Sequence, residues 1–231
     1  KDFNYIIYAH SFLDAQLWLG YDGFKNLFDW LEFTIDKLVQ QNNKVIIKSH
    51  PNFYNSSIGK MAKLDQMLFV KILKKYTNNK NVLFINDPIK NFELLNKVSK
   101  KTTLISHHGS ALLEGMYLGY KCISSVATFW SNDLKLTNQW KNEKEYIKLL
   151  KMNWSSLSYC NRNDLNFILF NVYWKDTSIY GGKHFLEIIS KKSKISRKKM
   201  FKIQHKLSTT TSIKNKITEM INRNIEEINN I

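Results

Sequence analysis

The chain has 231 residues, of which 43% are hydrophobic and 13% aromatic, so its composition excludes a disordered polypeptide and predicts a folded domain with a sizeable core. Its net charge of +16 points to an anionic neighbour such as nucleotide phosphates, a nucleic acid, an acidic glycan or a membrane surface, unless it reflects a general lysine bias. The chain has two cysteines, Cys122 and Cys160, which lie far apart in the sequence; this argues against a disulfide framework and favours the cytoplasm. No apolar run approaches the roughly 20 residues that span a bilayer, which argues against a transmembrane helix.

Short apolar runs alternate with helical periodicities along the first 125 residues. In chain order they are a strand at 4–8, a helix at 24–39, a strand at 44–48, a helix at 61–76, a strand at 82–85, a helix at 91–98, a strand at 103–105, a turn and helix at 106–119, and a strand at 121–124. Parallel strands need crossover connections, so the alternation predicts an α/β fold, a parallel Rossmann-like sheet with helices on both faces.

The pattern weakens after residue 125. Residues 128–140 read as a loop with a short helix, and helices are predicted at 143–152 and 163–174. Lysines and arginines then accumulate in 188–206, a stretch without any acid, and weak helical spacing follows in 213–231. We therefore predict a Rossmann-like domain at 1–187 and a basic, mostly helical tail at 188–231. We expect this tail to hold the chain at the inner face of an anionic cell membrane.

Polar side chains follow three of the predicted strands. His10 comes after the first strand, Lys48, His50 and Pro51 end the second, and the loop 106–110 follows the fourth. Ligands of parallel sheets gather beyond the C-terminal strand ends, so we expect these groups to line one cleft. Gly109 lets a ligand approach the backbone, and a helix start favours phosphate. For His50 taken alone, an ordinary surface histidine is the alternative.

The remaining candidates have weaker patterns. Glu114 lies one helical turn past Ser110 and could accept hydrogen bonds from a ribose, or be an ordinary solvated carboxylate. His10 and Asp14 are four residues apart and are weak candidates for a general base. No Ser-His-Asp or Cys-His constellation is evident, and no metal or cofactor is predicted; a cluster of His10, His50 and His107 is the one metal alternative.

Three segments resemble the capsule polysaccharide biosynthesis family, which includes bacterial Kdo transferases and related glycosyltransferases of the GT-B type. They are residues 17–33, with Gly23, Phe24 and the Trp30-Leu31-Glu32-Phe33 segment, VIIKSHPN at 45–52, and ISHHGSALLEGMYLGYKCI at 105–123. The resemblance covers residues 5–130. Its most specific element is the order, in which an HP loop precedes a Ser/His-Gly-Ser loop that leads into a helix with a Glu and a final Gly before a strand.

The resemblance implies the C-terminal, donor-binding half of a GT-B glycosyltransferase. The HP loop, here His50 and Pro51, would meet the nucleotide phosphates. The second loop would bind the donor through Ser106, His107, Gly109 and Ser110, with Glu114 on the helix behind it. The implied reaction moves a sugar from a nucleotide donor, CMP-activated in related enzymes, to a capsular or other surface polysaccharide. A glycan or lipid-linked glycan would be the acceptor.

Several alternatives stay open beside this one. Similar loops in sialyltransferases and CDP-glycerol transferases leave a glycerophosphotransferase as a rival in the same fold. A non-catalytic module that binds polyanions or nucleic acid, or an inactive partner subunit, are rivals from other classes. The family also needs a second Rossmann-like domain for the acceptor, for which there is no room before Tyr5. We therefore expect a fragment, a chain that works with another polypeptide, or a degenerate enzyme, and the catalytic residue stays unknown.

Overall fold

The computed structural model describes residues 2–12, 22–54, 60–86, 89–128, 130, 134 and 136–173. The chain divides into two compact units, Lys1–Cys160 and Asn161–Ile231. Asp14 and the predicted tail at 188–231 lie outside the described residues, and so does the predicted boundary after residue 187. The general-base candidacy of Asp14, the tail and the boundary therefore stay predictions.

Six short strands of the first unit form one parallel sheet. They are β1 (Tyr5–Tyr8), β2 (Val45–Lys48), β3 (Val82–Ile85), β4 (Thr103–Ser106), β5 (Cys122–Ser125) and β6 (Asn138–Trp140). Their order across the sheet is β3-β2-β1-β4-β5-β6, and every pair is parallel. This is the strand order of the doubly wound, Rossmann-like fold, so the predicted α/β class is confirmed.

The sixth strand corrects the prediction of a loop with a short helix at 128–140. β6 has only three residues, two of them polar, and therefore shows no recognisable strand pattern. It forms because Asn138 pairs with Ile123 at the edge of the sheet, where a tertiary contact decides the local structure.

Five described helices of the first unit connect the strands. They are α1 (Leu27–Gln40), α2 (Lys60–Tyr76), α3 (Asn91–Leu95), α4 (Ala111–Tyr117) and α5 (Glu143–Leu150). α1 begins later than predicted because the Asn26 side chain accepts a hydrogen bond from the Asp29 N–H and caps it. The sequence also predicts that regular structure stops at Pro51. Instead, Pro51 begins one turn of 3-10 helix, Pro51–Tyr54.

Helices cover both faces of the sheet, as predicted. Alternate strand residues such as Ile7, Ile47 and Ile105 form the main core with apolar side chains of α1, α2 and α5. The intervening residues turn to the opposite face, where Leu104 lies against Gly115 of α4. The strands are therefore buried on both sides, which explains their continuous apolar runs.

The buried face of α2 differs from the prediction. Leu64, Leu68, Ile72 and Leu73 share one helical periodicity, which predicts that all four face the core. Ile72 is buried and Leu68 and Leu73 pack against the core, as predicted, but Leu64 is 44% exposed. Among the α2 residues whose burial the structure describes, the buried ones are Asp65, Phe69, Ile72 and Tyr76. The carboxylate of Asp65 accepts hydrogen bonds from Ser11 and from the Phe12 N–H beyond β1, and these bonds set the rotation of the helix.

The second unit is described from Asn161 to Tyr173. It contains α6 (Arg162–Tyr173), whose first turn is held by the Asn161 side chain through the N–H groups of Asn163 and Asp164. The predicted helix at 163–174 is confirmed up to Tyr173. Among the described helices, none is both long and apolar enough to cross a membrane.

Candidate functional site

Three histidines occupy equivalent positions beyond three neighbouring strands. The last residues of β1, β2 and β4 are level in the sheet, since Tyr8 pairs in register with both Lys48 and Ser106. The residues two positions beyond these three are His10, His50 and His108. The strand order reverses between β1 and β4, and such a switch point is where doubly wound sheets bind ligands.

His10 lies at the centre of this histidine group. Its ring stacks on that of His108 with 4.1 Å between centroids, and the rings of His50 and His107 lie 6.4 and 6.3 Å away. Trp30 of α1 meets the His10 ring edge-on at 6.2 Å. The structure thus brings His10, His50 and the loop after β4 together at one edge of the sheet, as expected from their positions after strands.

The ring of His10 organises the loop after β4. Its Nε2 lies 2.8 Å from the Ser106 Oγ and accepts a hydrogen bond from the His108 N–H at 3.3 Å. Only an unprotonated nitrogen accepts, so the His10 proton resides on Nδ1. Burial lowers the pKa of His10 well below its ordinary value, and the neighbouring His108, His107 and His50 lower it further. His10 is therefore a neutral anchor of the loop.

Gly109 is the residue that lets this loop close. Its N–H donates to the Ser106 Oγ at 3.2 Å. A Cβ at position 109 would lie 2.6 Å from the Ser106 Oγ, closer than real contacts allow, and 3.2 Å from the His10 ring, which is a tight contact. Glycine is thus needed here for close approach of the backbone to two buried side chains.

His107 points away from solvent and pairs with Asp22. Its Nε2 lies 2.7 Å from the Asp22 Oδ2, and both side chains are fully buried. Burial alone would raise the pKa of Asp22. The hydrogen bond and charge of His107 lower it, as do hydrogen bonds from Ser125 and the Phe24 backbone, and together they hold this pKa below its ordinary value. Through this pairing His107 supports the loop, and its predicted contact with the donor stays a prediction.

The sequence did not single out Asp22 as part of the site. The pair Asp22-Gly23 reads as a helix start, whereas Asn26 caps α1 and Asp22 is buried beside the loop after β4. His107 in turn reaches His108 through their Nδ1 atoms, 2.9 Å apart. A polar chain therefore runs from Asp22 through both histidines.

A second polar cluster lies on the other face of the sheet at the same edge. The Tyr8 hydroxyl donates to the Asn91 Oδ1 at 2.6 Å, and the Asn91 Nδ2 donates to the Glu114 Oε2 at 2.9 Å. Asn91 also donates to the backbone carbonyl of Ala111. Asn91 and Tyr8 were not anticipated, and their contacts hold the predicted carboxylate of Glu114 in place.

Lys48 and Glu114 influence each other electrostatically in this cluster. Partial burial lowers the pKa of Lys48, and the negative charge of Glu114 raises it in part. Loss of water around the Glu114 carboxyl raises its pKa, while the Asn91 hydrogen bond and the charge of Lys48 lower it. Lys48 is half-buried and close enough to Glu114 for their charges to interact, so it adds a positive charge to this cluster.

Two predicted contact residues, Ser110 and Pro51, lie at the protein surface. Ser110 is exposed and precedes α4, and its hydroxyl makes no capping hydrogen bond to that helix. Pro51 is exposed beside the half-buried His50. α4 has only seven residues, so we assign no anion site to its N-terminus alone. In the parts of the chain that the structure describes, no three His, Cys, Asp or Glu side chains are placed to hold a metal ion, which rules out the His10, His50 and His107 set.

The fold and this edge define a doubly wound α/β protein with polar side chains at its switch point, the position at which such sheets form a ligand-binding crevice. No protein-family model and no curated protein sequence matches the chain. A solved structure, the UDP-GlcNAc 2-epimerase of Methanocaldococcus jannaschii in complex with UDP-GlcNAc and UDP, is similar with a TM-score of 0.40 and 15% identity over 75% of this chain. The chain spans 45% of that epimerase. A likeness at this level carries no functional inference, and the resemblance to the capsule polysaccharide biosynthesis family stays a prediction.

Proposed function

We propose that this chain is the donor-binding domain of a glycosyltransferase that moves a sugar from a CMP-activated donor to a capsular or other surface polysaccharide. The observation that carries the proposal is the convergence of His50, Lys48 and the loop 106–110 at the β1/β4 switch point. Such a crevice fits a nucleotide sugar, which offers phosphates, a ribose and a sugar in one extended ligand.

The phosphates would lie between the second and fourth strand ends. Lys48 supplies positive charge, His50 a ring nitrogen, and Ser110 a hydroxyl at the surface of the loop. These groups would stabilise the negative charge that grows on the leaving phosphate during sugar transfer. Gly109 keeps this part of the loop free of a side chain, so a phosphate oxygen can approach its backbone.

The ribose would lie against Glu114. Its carboxylate is oriented by Asn91, which is itself fixed by Tyr8. A carboxylate held in this way accepts hydrogen bonds from neighbouring hydroxyls, and the ribose of every nucleotide donor carries such a pair.

We do not assign the catalytic base to His10, because its Nε2 is occupied by Ser106 and His108. The base would come from residues outside those described, Asp14 among them, or from an acceptor-binding domain. The acceptor in this proposal is a glycan or lipid-linked glycan, and the basic tail would keep the chain beside it on the membrane.

Calorimetric titration of the full chain with CMP, CDP-glycerol, UDP-N-acetylglucosamine and GDP-mannose tests the donor site. We expect selective binding of CMP, weakened about tenfold or more in His50→Ala and in Ser110→Ala, because each removes a contact to a charged phosphate. Both residues are at least partly exposed, so both variants should fold. Ser156→Ala, which changes an exposed serine of the 3-10 turn Trp154–Ser156, is the matched control.

The pattern of binding separates the alternatives. Preference for CDP-glycerol over CMP would favour the glycerophosphotransferase. Equal, weak and salt-sensitive binding of all four ligands, unchanged in the two variants, would overturn the site and favour a polyanion-binding module.

A further inference from the structure

The outer face of α2 exposes three apolar side chains. Leu64 is 44% exposed, Met67 64% and Val70 37%. Other residues of this helix, Phe69 and Ile72 among them, form its buried inner face, so the exposed side chains do not contribute to the core. Exposed apolar side chains that are grouped on one face, unlike singly scattered ones, are typical of an interaction site.

Three exposed lysines, Lys63, Lys71 and Lys74, share this outer face at helical spacing. Asp65 is the one acid of α2, and it is buried against the segment that follows β1. Lys75, further round the helix, is paired with Glu32 and Asp36 of α1. The face is therefore apolar and basic, without an exposed acid of its own.

We infer that the α2 outer face, defined as Lys63, Leu64, Met67, Val70, Lys71 and Lys74, docks on an anionic lipid bilayer. Apolar side chains on such a helix enter the boundary between headgroups and acyl chains, while lysines beside them contact anionic headgroups. A second copy of the chain is disfavoured as the occupant, because it would bring lysines against lysines. This surface shares no residue with the proposed donor site, and the inference does not depend on that site.

Vesicle co-sedimentation of the full chain tests the lysines. We expect binding to phosphatidylcholine vesicles that contain phosphatidylglycerol and little binding to phosphatidylcholine alone. Replacing Lys63, Lys71 and Lys74 by glutamine should weaken binding by about fivefold for each lysine. The matched control replaces three exposed lysines elsewhere by glutamine, and it should bind almost as the wild type does; these are Lys25, Lys44 and Lys97.

A second pair of variants tests the apolar side chains. Leu64→Ser should weaken the vesicle binding that remains at high salt. Leu83→Ser should not, although Leu83 of β3 is equally exposed at 43%. Leu83 alternates with the core-facing Val82 and Phe84, so it faces away from the side of the sheet that α2 covers.

Four outcomes would overturn this inference. Anionic vesicles that do not bind the wild-type chain would overturn it. Equal loss in the two lysine triples would show charge attraction without a docking face. Binding abolished by removing residues 191–206 and unaffected by the α2 variants would assign it to the tail. A concentration-dependent oligomer that Leu64→Ser dissolves would identify the face as a contact between copies.

Discussion

At the scale of single residues, the loop after β4 is shaped by side chains that do not line the crevice. His10 holds Ser106 and His108, and Asp22 holds His107. In the proposed site, the exposed Ser110 and the half-buried His50 would contact the ligand. The proposal therefore predicts that the supporting residues and the proposed contact residues respond differently to substitution.

Asp22→Asn removes the carboxylate from the fully buried pair with His107. We expect it to lower the free energy of unfolding by about 1.5–3 kcal/mol, because the close contact of the carboxylate with the His107 ring is lost where water cannot replace it. Urea denaturation measures the change. Asp29→Asn, at an exposed position, should cost much less. Equal effects of the two substitutions would contradict the supporting role of Asp22.

At the scale of elements, helix ends determine where the chain turns back to the sheet. α4 ends in a Schellman motif, in which the Gly119 N–H donates to the Met116 carbonyl and the Tyr120 N–H to that of Gly115. Gly119 has a φ of +82°, and α1 ends in the same way at Asn42, with a φ of +59°. These left-handed residues release the chain toward β5 and β2.

Gly119→Ala should lower the free energy of unfolding by about 1 kcal/mol, because alanine resists a positive φ. No atom lies within 4 Å of a Cβ built there, so the cost comes from the backbone alone. Gly119→Asn should cost less, since Asn42 already serves this role at the end of α1. Chemical denaturation of both variants would decide, and an alanine variant as stable as the wild type would show that the helix end relaxes.

At the scale of the whole molecule, the histidine group should make the fold sensitive to acid. His10 stays neutral in the folded state because burial and three neighbouring histidines lower its pKa, whereas in the unfolded chain it binds a proton near pH 6.5. Between pH 6.5 and its lower folded pKa, the unfolded state therefore takes up the extra proton. Stability falls as the pH drops through that range.

We expect the free energy of unfolding to decrease by up to about 1.4 kcal/mol per pH unit from this group between pH 6.5 and 5.5. His10→Gln should flatten the dependence, which urea midpoints at several pH values would show. An unchanged slope in that variant would mean that His10 does not carry the effect. Asp22 affects stability in a separate pH range. Because its pKa is lowered in the folded state, its stabilising contribution is lost only as the pH falls below 3.8.

The sequence was sufficient for those features that depend on local patterns. Buried strands read as apolar runs, and their alternation with helices fixed the parallel sheet. The position of His10 and His50 directly after strands was enough to place them at one edge. The sequence also shows that His10, His50 and His108 each lie two residues beyond the end of a strand. Only the strand register shows that these ends are level, so that the three histidines meet at one edge.

Long-range contacts set the limits of that prediction. Tyr8 and Asn91 lie 83 residues apart, and no local sequence pattern at either residue predicts their hydrogen bond. In the sequence Asp22 resembles a helix N-cap, whereas in the fold it pairs with His107. Leu64 fits an apolar periodicity, yet the hydrogen bonds of Asp65 turn α2 by enough to expose it. In each case a polar contact from a distant segment overrides the local pattern.

The level ends of the four-residue strands also constrain how this sequence can change in length. An extra residue inside β1 would turn Ile7 from the core to the opposite face and break the register with β2 and β4. An insertion in a connection beyond the histidines would cost only the entropy of a longer loop, about 0.6 kcal/mol for each doubling. Insertions and deletions among descendants of this chain should therefore concentrate in those connections. A change in the length of a connection can alter which ligand is bound while the sheet stays intact.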